Sequence, residues 1–112
     1  METLSIESKK PFSLELIQSI LSKNWYVETS TAETLIVHGN KSRAYFHSDK
    51  TLSGTAIYRL LIDYSDVQFV KDLVERIADD PVITVDNDFG TILPGNQFVA
   101  RIKHEKEWDW RR

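Results

Sequence analysis

A mostly apolar, β-rich run from Thr55 to Tyr64 (TAIYRLLIDY) passes directly into a segment of helical spacing, and this junction constrains the fold more than any other feature. The run carries only Arg59 and Asp63 as charges, which suits a strand in the middle of a sheet, covered on at least one face. Immediately after it, Phe69, Val70, Leu73, Val74 and Ile77 recur at three- and four-residue intervals, the rhythm of an amphipathic helix. Ser65 and Gln68 form an S-x-x-Q capping box, and Tyr64 and Phe69 are spaced for a hydrophobic staple. Asp66 in the first turn and Arg76 in the last complement the helix dipole, and Asp80-Pro81 ends the segment.

The remaining segments fit around that unit. Phe12, Leu14, Leu16, Ile17, Ile20 and Leu21 predict a first helix over Pro11 to Lys23, started by Ser13 or Pro11 and stopped near Asn24. A strand begins at Trp25. Thr34 to His38 and Arg43 to His47 predict a hairpin about Gly39-Asn40, and Asp49 to Gly54 reads as a polar turn. Two more strands are expected at Val82 to Val85 and Phe98 to Ile102, joined by a loop containing Asp86, Asn87, Asp88, Gly90, Pro94 and Gly95, with the glycines read as turn residues. The expected order is α-β-β-β-β-α-β-β: an α+β sandwich with two helices on one face of a mainly antiparallel sheet. The chain has 112 residues, enough for one core that buries just under ~70% of the unfolded surface. One domain over 1–112 is therefore expected, with 1–10 and 103–112 as loosely held ends. Trp25, directly after a helix, is expected in the core, whereas Trp108 and Trp110 lie over the sheet if the tail pairs and serve as contacts if it is loose.

Charge narrows the function classes. Lys and Arg number 14 against 17 Asp and Glu, a net charge of −3. Residues 62–90 hold eight acids against Lys71 and Arg76, net −6, while residues 91–112 reverse to +2. A nucleic-acid binder needs a cationic stripe, so direct nucleic-acid binding is disfavoured. No uncharged apolar run approaches the ~20 residues of a membrane span, and Met1 to Lys10 does not resemble a signal peptide, which together favour the cytoplasm. Cysteine is absent, which removes disulfides, thiolate metal sites and thiol nucleophiles.

No phosphate loop, dinucleotide fingerprint, nucleophile elbow or zinc spacing occurs, so no cofactor and no metal is expected. Three histidines are present, His38, His47 and His104. On the expected hairpin His38 and His47 meet on one face, where with Asp49 they form the only candidate acid/base or metal cluster; ordinary sheet histidines are the simpler reading. Asp86-Asn87-Asp88-Phe89-Gly90 lacks the remaining ligands of a calcium loop, Gln97 standing where the bidentate Glu belongs. It reads first as a turn. Alternatively, Asp86 and Asp88 present carboxylates beside Phe89 as an apolar anchor, the arrangement of a protein interface, which Asp79 and Asp80 extend.

The runs VDNDFG (Val85 to Gly90) and LPGNQFVAR (Leu93 to Arg101), within Val82 to Ile102, resemble the C-terminal part of small bacterial immunity proteins of contact-dependent growth inhibition and other polymorphic toxin systems. The resemblance implies a non-catalytic inhibitor that binds one cognate toxin domain, often a nuclease, and covers its active site or substrate path. Asp79, Asp80, Asp86, Asp88 and Phe89 are then the expected toxin contacts. An acidic stretch suits such a partner, because a nuclease cleft is basic. Two rival classes stand beside this one: a small acid/base or metal-dependent enzyme built on the His38/His47 hairpin, and a regulatory adaptor for a host protein.

Overall fold

The computed structural model describes residues 1–31, 33–49 and 57–110. Seven strands and three helices follow in the order β1 (Glu2–Phe12), α1 (Leu14–Leu21), β2 (Tyr26–Thr31), β3 (Thr34–His38), β4 (Arg43–Asp49), β5 (Ile57–Tyr64), α2 (Val67–Ile77), β6 (Ile83–Asp86), β7 (Ile92–Pro94) and α3 (Gly95–His104). The strands form one antiparallel sheet in the order β2-β3-β4-β5-β1-β6-β7. The class is α+β, as expected. Thr55, Ala56 and most of the expected polar turn, Lys50 to Gly54, lie outside the described residues.

Strand periodicity sets the two layers. Leu4, Ile6, Val27, Leu35, Val37, Ala44, Phe46, Leu60, Ile62, Tyr64, Ile83 and Val85 alternate with more exposed neighbours and are all buried. Their pairings, Ile6 with Leu60 and Val85, Phe46 with Leu35 and Ile62, place them on one face. The helices close that face with Ile17 and Leu21 from α1, Val70, Leu73 and Val74 from α2, and Phe98, Val99 and Ile102 from α3.

Three expectations about elements are corrected. Residues 2–12 are no loose end: β1 is an interior strand between β5 and β6. Only Leu4 and Ile6 of its first half face the core, but the alternation Thr3-Leu4-Ser5-Ile6-Glu7 is the period of a half-buried strand. Phe98 to Ile102 is no strand. Its aromatic and β-branched residues suggest one, yet Gly95, Phe98, Val99 and Ile102 are buried at helical spacing, and Arg101, Lys103 and His104 lie in the last turn, where cations favour a helix end. Gly95 is no turn residue. A Cβ there would stand 2.0 Å from the Ala78 carbonyl oxygen and 2.8 Å from that of Asp80, so only glycine lets α3 start against the end of α2. β7 is a further short strand within the expected loop.

Caps and tail differ in detail. The N-cap of α2 is Asp66, whose Oδ1 accepts from the Gln68 and Phe69 N–H groups at 2.9 and 3.3 Å; Ser65 precedes the cap. A carboxylate so placed satisfies two orphan donors and meets the positive helix end, which a serine hydroxyl does less strongly. The staple partners diverge, Phe69 packing edge-on against Trp25 and Tyr64 against Trp110. Ser13 caps α1 as expected. After α3 the chain turns back, and Trp110 is buried with its Nε1–H donating to the Tyr64 hydroxyl at 2.7 Å. Trp108 packs on Phe98 under the Arg101 guanidinium, and its carbonyl accepts from the buried Lys71 ammonium. The segment 103–110 is therefore docked, neither frayed nor paired as a strand.

Candidate functional site

The helices cover one face of the sheet, and the other face is where the sequence-predicted polar residues gather. Register places its side chains in four cross-strand rows. The first is Tyr26, His38, Arg43; the second is Glu28, Ile36, Tyr45, Asp63, Thr3; the third is Thr34, His47, Leu61, Ser5, Asp86, Ile92; the fourth is Asp49, Arg59, Glu7, Thr84, Pro94. Glu7, Glu28, Asp49, Asp63 and Asp86 face Arg43 and Arg59, so these rows carry a net −3 with both histidines neutral. Tyr26 and Ile92 are more than 60% exposed at the two edges, and Ile36, Tyr45 and Leu61 are half-buried between them.

Polar contacts knit the face across strands. The Thr3 hydroxyl donates to Asp63 Oδ1 at 2.7 Å, directly opposite in register, and His47 Nε2 lies 3.0 Å from Asp63 Oδ2 on the diagonal. The Thr34 hydroxyl stands 3.4 Å from His47 Nδ1, completing a chain Thr34–His47–Asp63–Thr3 over β3, β4, β5 and β1. At one end His38 Nε2 contacts Glu28 Oε1 at 3.0 Å, and at the other Arg59 reaches both Glu7 and Asp49 at 3.6 Å.

The rival His38–His47–Asp49 cluster does not assemble. His38 stands opposite Arg43 and His47 opposite Thr34, so the two rings are four residues apart along the strands, about 13 Å at ~3.3 Å per residue. Each has taken its own carboxylate, and Asp49 has taken Arg59. Among the described residues no three His, Asp or Glu side chains converge as a metal site. The hydroxyl–imidazole–carboxylate order of Thr34, His47 and Asp63 has the sequence of roles of a nucleophile, base and orienter. However, β3 and β4 are interior strands whose N–H groups serve the ladders, so among the described residues these two strands offer Thr34 no backbone oxyanion donors of the kind acyl transfer requires. What the contacts do is fix the rotamers of four half-buried polar side chains.

The β6–β7 hairpin extends the face at its edge. Asn87 is fully buried; its Oδ1 accepts from the Phe89 and Thr91 N–H groups at 2.8 and 3.1 Å, and its own N–H donates to the Thr91 carbonyl. Asp86 Oδ1 accepts from the Asp88 N–H at 2.8 Å. Asp88 and Gly90 adopt positive φ, 65° and 98°, which Asp tolerates and Gly accepts freely. The turn reading of Asp86 to Gly90 is thus correct, and the same turn holds Asp86 in the third row and leaves Asp88 and a 40% exposed Phe89 at the tip.

Asp79 and Asp80 do not join them. They follow α2 at the start of β6, where the Asp80 carbonyl accepts from Ile83 and its carboxylate from the Val82 N–H, while Asp86 ends that strand. The five acidic-site candidates therefore divide into two groups at opposite ends of β6. Thr3, Glu28, Thr34, Tyr45 and Asp63 belong to the face but carry no motif. Only strand alternation marks them, and it becomes informative once the register is known.

The chain matches no protein-family model, and comparison with the curated proteins and with the solved structures finds no match to it. No helix among the described residues is long and apolar enough to cross a membrane.

Proposed function

We propose that the protein is a binding module that neutralises a bacterial toxin, an immunity protein whose open sheet face and β6–β7 tip together cover a basic surface of the toxin domain, such as the active-site cleft of a nuclease. One observation carries this reading: the face that no helix covers among the described residues combines a net −3 with exposed or half-exposed Tyr26, Ile36, Tyr45, Leu61 and Ile92, all on strands of the sheet. Aromatic and aliphatic anchors amid like-signed charge are what a protein partner of opposite charge recognises. Preorganisation adds to it, since side chains already held by neighbours lose less entropy on docking. The resemblance of Val82 to Ile102 to immunity proteins includes the hairpin that borders this face. A cytoplasmic site of action goes with that role.

The test is co-expression with the product of the adjacent upstream gene, scoring both cell survival and a purified complex. Asp86→Lys with Asp88→Lys should slow association and weaken protection, whereas Asp79→Lys with Asp80→Lys should leave both close to wild type, although each pair changes net charge equally. Protection that survives the hairpin reversal, or that fails equally with both pairs, would show that the face is not the contact.

A further inference from the structure

Both sheet histidines lie on the open face, and each stands beside a carboxylate. His38 Nε2 is 3.0 Å from Glu28 Oε1, and His47 Nε2 is 3.0 Å from Asp63 Oδ2. The two imidazole side chains are 23% and 39% exposed, so solvent protons reach both. Histidine is the side chain whose charge changes between pH 5 and 8, whereas carboxylates ordinarily stay ionised through that range. The rows of this face sum to −3 with both rings neutral, and two added protons bring the sum to −1.

The neighbours of the two rings differ. On its β2 side His38 has Tyr26, whose ring lies 5.1 Å from its own, and Glu28; on its β4 side Arg43 stands directly opposite, with Lys41 in the turn between β3 and β4. His47 faces Thr34 of β3 and Leu61 and Asp63 of β5, and its own strand adds Tyr45 and Asp49, the latter bound by Arg59. His38 thus has a cation as well as an anion across the strands, and His47 has only the anion. At His47 the contacts hold in either protonation state. A neutral ring donates from Nε2 to Asp63 and accepts at Nδ1 from the Thr34 hydroxyl; a protonated ring keeps the first contact and donates at Nδ1 to the same hydroxyl, which has only to rotate. A proton taken up there changes the charge of the face and leaves its shape.

We propose that binding at the open face is proton-linked: His38 and His47 dock in their neutral forms, and acidification charges them and detaches the basic partner. The proposal rests on the toxin-binding reading. A cationic surface that closes over the face brings like charge against each imidazolium and removes the water that hydrates it, both of which are costly at an interface. Docking therefore expels whatever protons the free face holds. By linkage, each proton released on binding makes the association constant rise by up to about tenfold per pH unit, so affinity is highest above the range in which the rings are charged and falls as pH drops through it. His47 is the stronger of the two sensors, because its charge replaces part of the negative field without a resident cation opposite it.

Calorimetric titration with the toxin domain of the adjacent upstream gene, at about pH 8 and about pH 5.5 and in buffers of different ionisation enthalpy, reads both the affinity and the protons released. Wild type should bind about tenfold or more weakly at the lower pH, tenfold being about 1.4 kcal/mol, and should release protons on binding near pH 6. His38→Gln with His47→Gln should lose most of that change, and His47→Gln alone the larger part of it. The toxin's own titration is common to all the variants and cancels in the comparison. Amide NMR spectra of the free wild type should keep the sheet intact at both pH values, with shifts centred on His38 and His47. Affinity and proton release that change as much in the double variant as in wild type, or a β3–β4 hairpin that loses order at the lower pH, would overturn the proposal and leave the toxin-binding reading standing. Absence of any complex at about pH 8 would overturn that reading, and the proposal with it.

Discussion

The two faces of the sheet are built from the same strands by the same alternation, yet they solve different problems. On the helical side every second residue is apolar and fully packed, from Leu4 through Phe46 to Val85. On the open side the intervening residues are held by hydroxyl, imidazole and carboxylate contacts that leave them partly exposed, His47 at 39% and Asp63 at 32%. Burial on the first side supplies stability at roughly 25 cal/mol per Å². Exposed pairs on the second contribute little to stability, and their value is that they fix positions. On the proposed toxin-binding reading, the open face, with aromatics among its charges, is the contact surface. Substitutions that strike the two faces separately should separate the two roles.

The largest effect is expected where the tail closes the helical side. Trp110 is buried against Tyr64 and Phe98, so Trp110→Ala should cost about 3–5 kcal/mol in denaturant unfolding. Tyr64→Phe, which removes only the hydroxyl acceptor of the indole N–H, should cost about 1–3 kcal/mol. If Trp110→Ala melted like wild type, the tail would lie outside the core and the helical side would end at α3.

Adjacent residues of β5 give the sharpest contrast. Ile62 is fully buried and Leu61, its neighbour, sits in the third row of the open face. Ile62→Ala should cost about 2–5 kcal/mol, whereas Leu61→Ala should fall within about 0.5–1.5 kcal/mol because the site is open to solvent. In a toxin-binding assay the order should invert, with Leu61→Ala weakening affinity while Ile62→Ala acts only through stability. Equal destabilisation by the two would mean that the face called open is covered.

Helix α2 shows what the sequence could and could not reveal. Its existence, its apolar stripe and its position after a buried strand were legible because Phe69, Val70, Leu73, Val74 and Ile77 keep one period over three turns. The cap was misplaced by one residue because Ser65 and Asp66 are both good caps and the capping-box pattern favours the first. Asp66→Ala should cost about 0.5–2 kcal/mol and Ser65→Ala no more than about 0.5 kcal/mol, read from shifts of the unfolding midpoint. The site was less legible than the fold. Asp86, Asp88 and Phe89 were visible as a local motif, but Thr3, Thr34 and Asp63 come together only through strand order, with β1 inserted between β5 and β6 across more than fifty residues of chain. A mostly polar strand such as β1, with only Leu4 and Ile6 buried over its 11 residues, carries too few apolar residues to announce itself, and α3 is read as a strand because its core residues are β-formers placed at helical spacing.

The smallest effect tests whether the open face is organised for stability at all. His47 and Asp63 are 39% and 32% exposed, so solvent screens the pair, and a double-mutant cycle with His47→Gln and Asp63→Asn should give a coupling of only about 0.2–1 kcal/mol. Added salt should reduce that coupling further. The same variants should nevertheless loosen their neighbours. Thr3 loses the acceptor held at 2.7 Å and Thr34 the imidazole beside it, so side-chain order across β3 to β1 should fall in NMR relaxation while the melting temperature stays within a few degrees of wild type. If toxin affinity then drops by more than the coupling energy accounts for, the contact chain serves recognition by holding the face in shape. A coupling of several kcal/mol would reverse the comparison, because a pair that strong belongs to a buried layer and the face would be part of the core.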